Sequence, residues 1–425
     1  MTATDSLTYL TPDLPGVGGV LKARNEDFLV EEQPLYEPCG EGEHVYLFIE
    51  KNALTTTEAV HRIARAFHMH RRNIGYAGLK DKHAVTRQHV SLWLPGVDEA
   101  VVVEGVQRLN GTQEKVKILW HERHTNKLKR GHHGGNRFVI RLRDVEPTHV
   151  VRAKAVMDVL EKRGVPNYVG DQRFGYRQNS HRTGKALLLG DFDAVVHEML
   201  QADAPSESQY VKQGREFVRA GEYIKALEVW PKTLRYDRQL LDALRQGKNP
   251  RDAVMAIDRN QRAFLVSAWQ SGVFNEVLTR RVADGTFDQL LPGDLAWKHD
   301  SRATFEVDET TFEEDNAPGG RVEQGLLSPS GPLWGTGMPQ ATGEPGRIEA
   351  EALGQAGVTE AQLAGTDEDR SATAEGKRRP LRILLKDPDV EGGVDEFGAY
   401  IKASFELPRG AYATMVLREV MKGGA

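Results

Sequence analysis

Alternating apolar and polar residues along the chain predict β-strands. In the clearest case, Phe138, Ile140 and Leu142 are separated by residues that include an arginine. Another segment, HVYLFIEK, is almost continuously apolar and is typical of a buried strand. The predicted strands are residues 44–51, 89–94, 137–142 and 400–407.

Apolar residues three or four positions apart predict helices elsewhere. Thr55 followed by Glu58 is a capping-box signature, so one helix should start there and end near His70. Gly164 and Gly285 follow two further helical patterns, at a position where glycine commonly ends a helix. The predicted helices are residues 55–70, 149–163, 262–283 and 411–422, with a charged and largely helical region at 191–261.

Two regions differ from the rest of the chain in composition. Residues 291–350 are rich in glycine and proline, which favours short strands and turns. Residues 355–376 have almost no large apolar side chains, so they are expected to form a mobile surface segment.

Composition excludes several classes of protein. The 425 residues are 39% apolar and 28% charged, which is typical of a globular chain. No run of eighteen apolar residues exists, so no membrane span is expected. The start of the chain has acidic residues and no basic flank before an apolar stretch, unlike a signal peptide. The single cysteine, Cys39, excludes an internal disulfide, and a cytoplasmic location is expected.

The net charge of −5 hides a strongly basic segment, residues 115–143, called the basic stripe below. Within it Glu122 is the only acidic residue. Such a segment can neutralise phosphates, although a solvated basic face is the simpler alternative. Its basic residues are Lys115, Lys117, Arg123, Lys127, Lys129, Arg130, Arg137, Arg141 and Arg143, with His121, His124, His132 and His133.

The densest chemical signal is the segment GYAGLKDKHAVTRQHVSL, residues 75–92. It presents Asp81 in a turn between Lys80 and Lys82, and two neighbouring ammonium groups favour an ionised carboxylate. An aspartate between lysines is also a common solvated surface feature, so the residue types alone leave both interpretations open.

This segment closely resembles the catalytic motif of the TruD family of tRNA pseudouridine synthases. Five further blocks resemble that family in the same order along the chain. The segments that match weakly are 191–258, 308–325 and 355–377. The five blocks are GVGGVLKARNEDFLVEE (16–32), EPCGEGEHVYLFIEK (37–51), GNRF (135–138), GVPNYVGDQRFGYRQ (164–178) and LPRGAYATMVLRE (407–419).

The resemblance implies an isomerase that converts uridine to pseudouridine in RNA, with uridine 13 of tRNA as the typical substrate. The reaction is redox-neutral and its atoms balance, so no cofactor and no metal are expected. Asp81 matches the essential aspartate, which either attacks the sugar or removes its 2′ proton. A synthase acting on another RNA, or a non-catalytic RNA-binding protein on the same fold, is the alternative; the second would not need Asp81 in its GLKDK setting.

Further site residues follow from the resemblance. Lys22 matches a lysine expected to pair with the aspartate, and Phe28 matches an active-site position. Asn136 and Phe138 are two apart on a predicted strand, so they should share one face, where an amide can read the uracil edge while a ring stacks on it. Tyr412 stands where the family commonly has phenylalanine, which leaves the ring in place and adds a hydroxyl.

The implied fold is α/β (α+β), with a mixed, antiparallel-rich sheet of pseudouridine synthase type and a large inserted α+β domain. The catalytic domain would comprise residues 1–163 and 381–425, interrupted by the inserted domain at 164–380. The expected partner is tRNA, held in a cleft between the domains, with no membrane and no protein partner implied. The expected RNA contacts are Lys127, Lys129, Arg130 and Arg173.

Two other motifs could indicate a phosphate-binding loop and a metal site. Gly16, Gly18 and Gly19 lack the Lys-Ser/Thr and the helix of a phosphate-binding loop. His121 and His124, near His132 and His133, have a spacing that can bind metal. Without cysteine and beside many cations they form a poor metal site, so none is expected.

Overall fold

The computed structural model describes residues 7–112, 115–204, 207–364 and 374–423. These residues divide into two compact units. The sheet unit consists of Thr11–Val165 and the described part of Ile383–Ala425. The insert unit consists of Pro166–Arg382 together with residues 7–10. The chain therefore leaves the sheet unit after residue 165 and re-enters it at residue 383.

Strands form one large sheet in the sheet unit and one small sheet in the insert unit. The strands are β1 (Phe28–Pro34), β2 (His44–Asn52), β3 (Ile74–Tyr76), β4 (Val85–Trp93), β5 (Val116–His124), β6 (His133–Arg143), β7 (Val165–Pro166), β8 (Leu295–Lys298), β9 (Thr304–Glu306), β10 (Leu327–Leu333), β11 (Lys377–Pro380), β12 (Arg382–Ile383), β13 (Lys386–Asp395) and β14 (Gly398–Pro408).

Helices dominate the insert unit. The helices are α1 (Thr56–Ala66), α2 (Glu99–Thr112), α3 (Val150–Arg163), α4 (Ser180–Leu188), α5 (Phe192–Val196), α6 (Gln209–Arg219), α7 (Tyr223–Val229), α8 (Arg235–Arg245), α9 (Pro250–Met255), α10 (Arg259–Ala283), α11 (Glu309–Asn316), α12 (Gly343–Gln355) and α13 (Ala413–Met421). No helix in the described part of the chain is both long and apolar enough to cross a membrane.

The sheet unit is built on an eight-stranded sheet in the order β13-β14-β6-β1-β4-β2-β5, with β3 also paired to β4. Only the β1–β4 pairing on this path is parallel. The expected mixed, antiparallel-rich sheet is thus confirmed. One face of β2, with Val45, Leu47 and Ile49, packs on α1 and α2 in a buried core.

Helix α1 begins as the sequence predicts. Thr55 and Glu58 form the complete capping box, each side chain bonding the other's backbone N–H. The helix ends at Ala66, before the predicted end near His70. His68 has a left-handed backbone, with φ of 48°, which stops the helix there.

Two predictions for the insert unit need correction. Besides short strands, region 291–350 contains the helices α11 and α12. Segment 355–376 is not wholly a surface segment, because Val358 and Leu363 are buried in the core of the insert unit. Residues 365–373 lie outside the described residues.

Candidate active site

Asp81 lies on the loop that joins β3 to β4, and the backbone of this loop is fixed from several sides. The amide of Lys80 donates to Oγ1 of Thr56, at the start of α1, over 2.9 Å. Nε2 of Gln88 donates to the carbonyl of Gly78 over 3.2 Å. The Asp81 side chain itself is 43% exposed. The loop therefore has a fixed backbone and exposes the carboxylate of Asp81 to solvent.

Lys22 is the ion-pair partner of this carboxylate. Its Nζ is 3.0 Å from Oδ2 of Asp81 and 4.3 Å from the ring centroid of Phe28. Lys22 has a left-handed backbone, with φ of 57°. The ammonium group is thus held between a carboxylate and an aromatic face, both of which favour a cation.

The two lysines that flank Asp81 in sequence do not act as expected. The side chain of Lys80 is 6% exposed and forms an ion pair with Glu32 at 3.0 Å. Lys82 is exposed and makes no ion pair among the described residues. The neighbouring cation at this carboxylate is therefore Lys22, 59 positions away along the chain.

Lys51 is a site residue that sequence reasoning missed. It is fully buried, and its Nζ donates to the carbonyls of Leu54 at 2.6 Å and Asp81 at 2.8 Å, with Lys80 more distant at 3.5 Å. Burial, assisted by the charge of Lys80 and opposed by that of Asp81, lowers the pKa of Lys51 to about 8. A signal existed: Lys51 continues the alternate positions of Val45, Leu47 and Ile49 on the core face of β2.

Phe28, whose ring lies under Lys22, packs against Phe138. Their ring centroids are 6.4 Å apart in an edge-to-face arrangement, and Phe138 also packs on Phe405 of β14 at 5.5 Å. Both are buried. Asn136 shares the face of β6 that carries Phe138, and it is paired with Glu32 on β1 and Leu407 on β14. The face-sharing predicted from the sequence is therefore present.

Tyr412 immediately precedes α13 and is partly buried. The chain reaches it from β14, whose Leu407 and Pro408 pair with Asn136 and Gly135. Among the described residues, no hydrogen bond or ring contact joins the Tyr412 side chain to Asp81, Lys22 or Phe28. Only the course of the backbone after β14 brings Tyr412 to this end of the strand.

Part of the basic stripe is paired with acidic residues, which the sequence did not predict. Acidic residues from other elements pair with some of its members: Glu99 with His121 and Arg123, and Glu406 with Arg137. Arg143 is buried, with Asp27 and Asp395 each at 2.6 Å. The fold therefore pairs part of the stripe, namely His121, Arg123, Arg137 and Arg143, with acidic residues.

A smaller cationic group remains in the loop between β5 and β6. Lys129 and Arg130 are exposed there, and Lys127 is partly buried, with its Nζ donating to the carbonyl of Arg72 at 2.6 Å. Arg173 belongs to the insert unit, where its guanidinium lies 5.3 Å from the ring centroid of Phe264.

The histidines of the stripe have separate partners. Nε2 of His121 is 2.7 Å from Oε1 of Glu99, whereas His124 stacks on Tyr36 and lies beside Cys39. Among the described residues, no group of three or more His, Cys, Asp or Glu side chains is arranged to hold a metal ion.

Comparison with known proteins identifies the family of this chain. The family model for tRNA pseudouridine synthase D (TruD) matches residues 5–420. A tRNA pseudouridine synthase D of Geobacter sulfurreducens is 43% identical over 97% of this chain and 96% of its own length. The corresponding protein of Thermus thermophilus is 34% identical over 97% and 92%.

A solved structure gives the same result for the fold. It is the crystal structure of a Methanosarcina mazei protein assigned as a tRNA pseudouridine synthase D, with a TM-score of 0.83 and 27% identity. The match covers 98% of this chain and 96% of that one. Because the family model and these relatives span nearly the entire sequence, the chain belongs to the TruD (tRNA pseudouridine synthase D) family.

Proposed function

We propose that this protein isomerises uridine to pseudouridine in tRNA, at uridine 13, with Asp81 as the essential carboxylate. The observation that carries the proposal is the ion pair between Asp81 and Lys22, at 3.0 Å, on a loop whose backbone is anchored by Thr56 and Gln88. Family membership supports the reaction class. Asp81 is also accessible enough to meet a nucleotide that has been flipped out of its stack.

The reaction balances without any added reagent. The bond between C1′ and N1 breaks, the uracil turns, and a bond forms between C1′ and C5. The hydrogen of C5 leaves as a proton, and N1 gains one. An ionised carboxylate can begin this sequence in two ways, by attacking C1′ or by removing the 2′ proton. Both need a carboxylate at the position of Asp81, beside which Lys22 lies at 3.0 Å.

The other residues would bind the substrate. Phe28 forms the floor under Lys22, and Asn136 lies at the same face of the sheet as Phe138. Tyr412 would supply a ring for stacking from the end of β14. Lys127, Lys129, Arg130 and Arg173 would contact phosphates, with residues 164–380 acting as the inserted domain.

Replacing Asp81 by asparagine tests the proposal, because it removes the charge and keeps the shape. Single-turnover release of tritium from tRNA labelled at C5 of uridine should fall at least a thousandfold, while tRNA affinity changes little. Asp158→Asn is the matched control: Asp158 is half exposed on α3, paired with Lys154, and its loss should leave the rate unchanged.

Residual activity of Asp81→Asn within tenfold of wild type would overturn the assignment of Asp81. Binding of tRNA without tritium release by the wild-type protein would instead favour the non-catalytic alternative. A transcript with cytidine at position 13 should release no tritium above background from its other uridines. Release that persists would point to another position or another RNA.

A further inference from the structure

Lys80 lies buried in a polar group whose two charged members, Lys80 and Glu32, the proposed chemistry does not use. Its Nζ is 3.0 Å from Oε2 of Glu32 and 2.6 Å from Oδ1 of Asn136. Glu32 and Asn136 are directly opposite each other on β1 and β6. The side chains of Lys80 and Glu32 are 6% and 1% exposed. The Lys80 side chain is therefore held by one residue from each of two paired strands, and Lys80 is adjacent to Asp81 in the sequence.

Glu32 keeps this lysine in place. Its Oε1 accepts the backbone N–H of His89 at 3.2 Å. Burial alone would raise the pKa of Glu32, but the bonds from His89 and the charge of Lys80 outweigh it, so the pKa lies below its usual range. The carboxylate is thus ionised near neutrality and attracts the ammonium group that also donates to Asn136.

The chemistry of lysine fixes which way the amide of Asn136 points. An ammonium group can only donate hydrogen bonds, so the Asn136 atom facing it must be the oxygen. The NH₂ group then points away from Lys80. Within the described part of the chain, Nδ2 of Asn136 has no hydrogen-bond partner, and the residue is only partly buried. Asn136 is thereby left with a free donor at the face that carries Phe138.

We propose that Lys80 is a positioning residue that orients Asn136 to donate to O4 of the bound uracil, and so selects uracil over cytosine. This inference rests on the proposed function. Uracil carries carbonyls on both sides of N3, and turning the ring about the N3–C6 axis exchanges O2 with O4. A fixed donor therefore meets a carbonyl both before and after the base turns. Cytosine has an amino group in place of O4, which would oppose the NH₂ of Asn136.

Two variants test this orientation. Lys80→Met combined with Glu32→Gln removes both buried charges together, so no unpaired charge remains, and frees the amide to rotate. Asn136→Asp keeps the shape of the side chain and removes the donor. The measurement is the ratio of dissociation constants for tRNA transcripts with cytidine and with uridine at position 13. It is made for each variant in the Asp81→Asn background, so that no turnover occurs.

The parent Asp81→Asn protein should bind the uridine transcript at least tenfold more tightly than the cytidine one. Both variants should reduce this ratio to below about threefold, with circular dichroism spectra unchanged. If the double variant does not fold, Asn136→Asp still decides whether a donor is needed. An unchanged ratio in Asn136→Asp would overturn the inference. An unchanged ratio in the folded double variant would overturn the role of Lys80.

These outcomes are separate from those of the proposed function. Wild-type protein with an intact site must release tritium from the uridine transcript, and its failure to do so would refute the isomerase itself. A wild-type enzyme that is active, combined with a parent protein that does not distinguish the two transcripts, would refute only the selection of uracil.

Discussion

Replacing Lys51 by methionine should change how both the activity and the stability of this protein respond to alkaline pH. The Nζ of Lys51 bonds the carbonyl of Asp81 at 2.8 Å and that of Leu54 at 2.6 Å. It therefore ties the end of β2 to the backbone of the proposed catalytic residue. Charged groups around it are Asp81, Lys80 and Glu58, and burial is the largest influence on its pKa.

The effect on stability follows from that pKa, which burial lowers from 10.5 to about 8. The unfolded chain binds the proton more tightly than the folded one. Folding is therefore penalised below pH 8, and the penalty fades as the pH rises from about 8 to about 10.5. Each pKa unit corresponds to about 1.4 kcal/mol, so the full penalty is about 3 kcal/mol. Relative to Lys51→Met, the unfolding free energy of wild type should rise by about 2–3 kcal/mol between pH 7 and pH 10.

Activity should change in the opposite direction. The ammonium group of Lys51 has three hydrogens to donate to the surrounding carbonyls, whereas the neutral amine has only two and no charge. The bonds from Lys51 to the Asp81 loop should therefore weaken above pH 8. The turnover rate of wild type should then fall with an apparent pKa near 8. Lys51→Met should be slower at every pH, by about tenfold or more if one bond of about 1.4 kcal/mol is lost, and should lack this inflection.

Single-turnover tritium release and urea unfolding, each followed from pH 6.5 to 10, measure the two effects. Lys82→Met is the control for removal of a lysine beside Asp81, because Lys82 is exposed; both of its profiles should match wild type. Parallel profiles for wild type and Lys51→Met, in rate and in unfolding free energy alike, would refute the reasoning. They would mean that the charge of Lys51 affects neither the loop nor the fold.

Three further predictions concern other parts of the sheet unit. Tyr412→Ala should lower kcat/KM by about ten- to a hundredfold with little change in Tm, whereas Tyr412→Phe should be nearly neutral, because stacking needs only the ring; a strong fall in Tm for the alanine variant would indicate core packing instead. RNA affinity should fall with salt with a log–log slope of about −2 to −5, and replacing Lys127, Lys129 and Arg130 together should reduce its magnitude by about 2; an unchanged slope in filter binding would show that this loop faces away from RNA. Arg143→Met should cost about 3–5 kcal/mol of unfolding free energy in urea titrations, because it leaves the buried carboxylate of Asp27 unpaired; a cost below about 1 kcal/mol would contradict that role.

The sequence by itself determined the features that depend on near neighbours. The start of α1 follows from Thr55 and Glu58, three positions apart, because the capping box closes within one turn. The shared face of Asn136 and Phe138 follows from the two-residue period of a strand. The mixed sheet was predicted from the resemblance of six motif blocks to a family, and membership of that family is confirmed.

Only the tertiary structure decided which charges meet. Lys22 and Asp81 are 59 positions apart, and Lys80 turns from its neighbour Asp81 towards Glu32. The same holds for Arg143, which lies in a basic stretch of sequence yet is buried against Asp27, just before β1, and Asp395 of β13. Long side chains reach whichever opposite charge the strand pairing brings within a few ångströms. Sequence spacing carries no record of that pairing, so a local charge pattern cannot predict it.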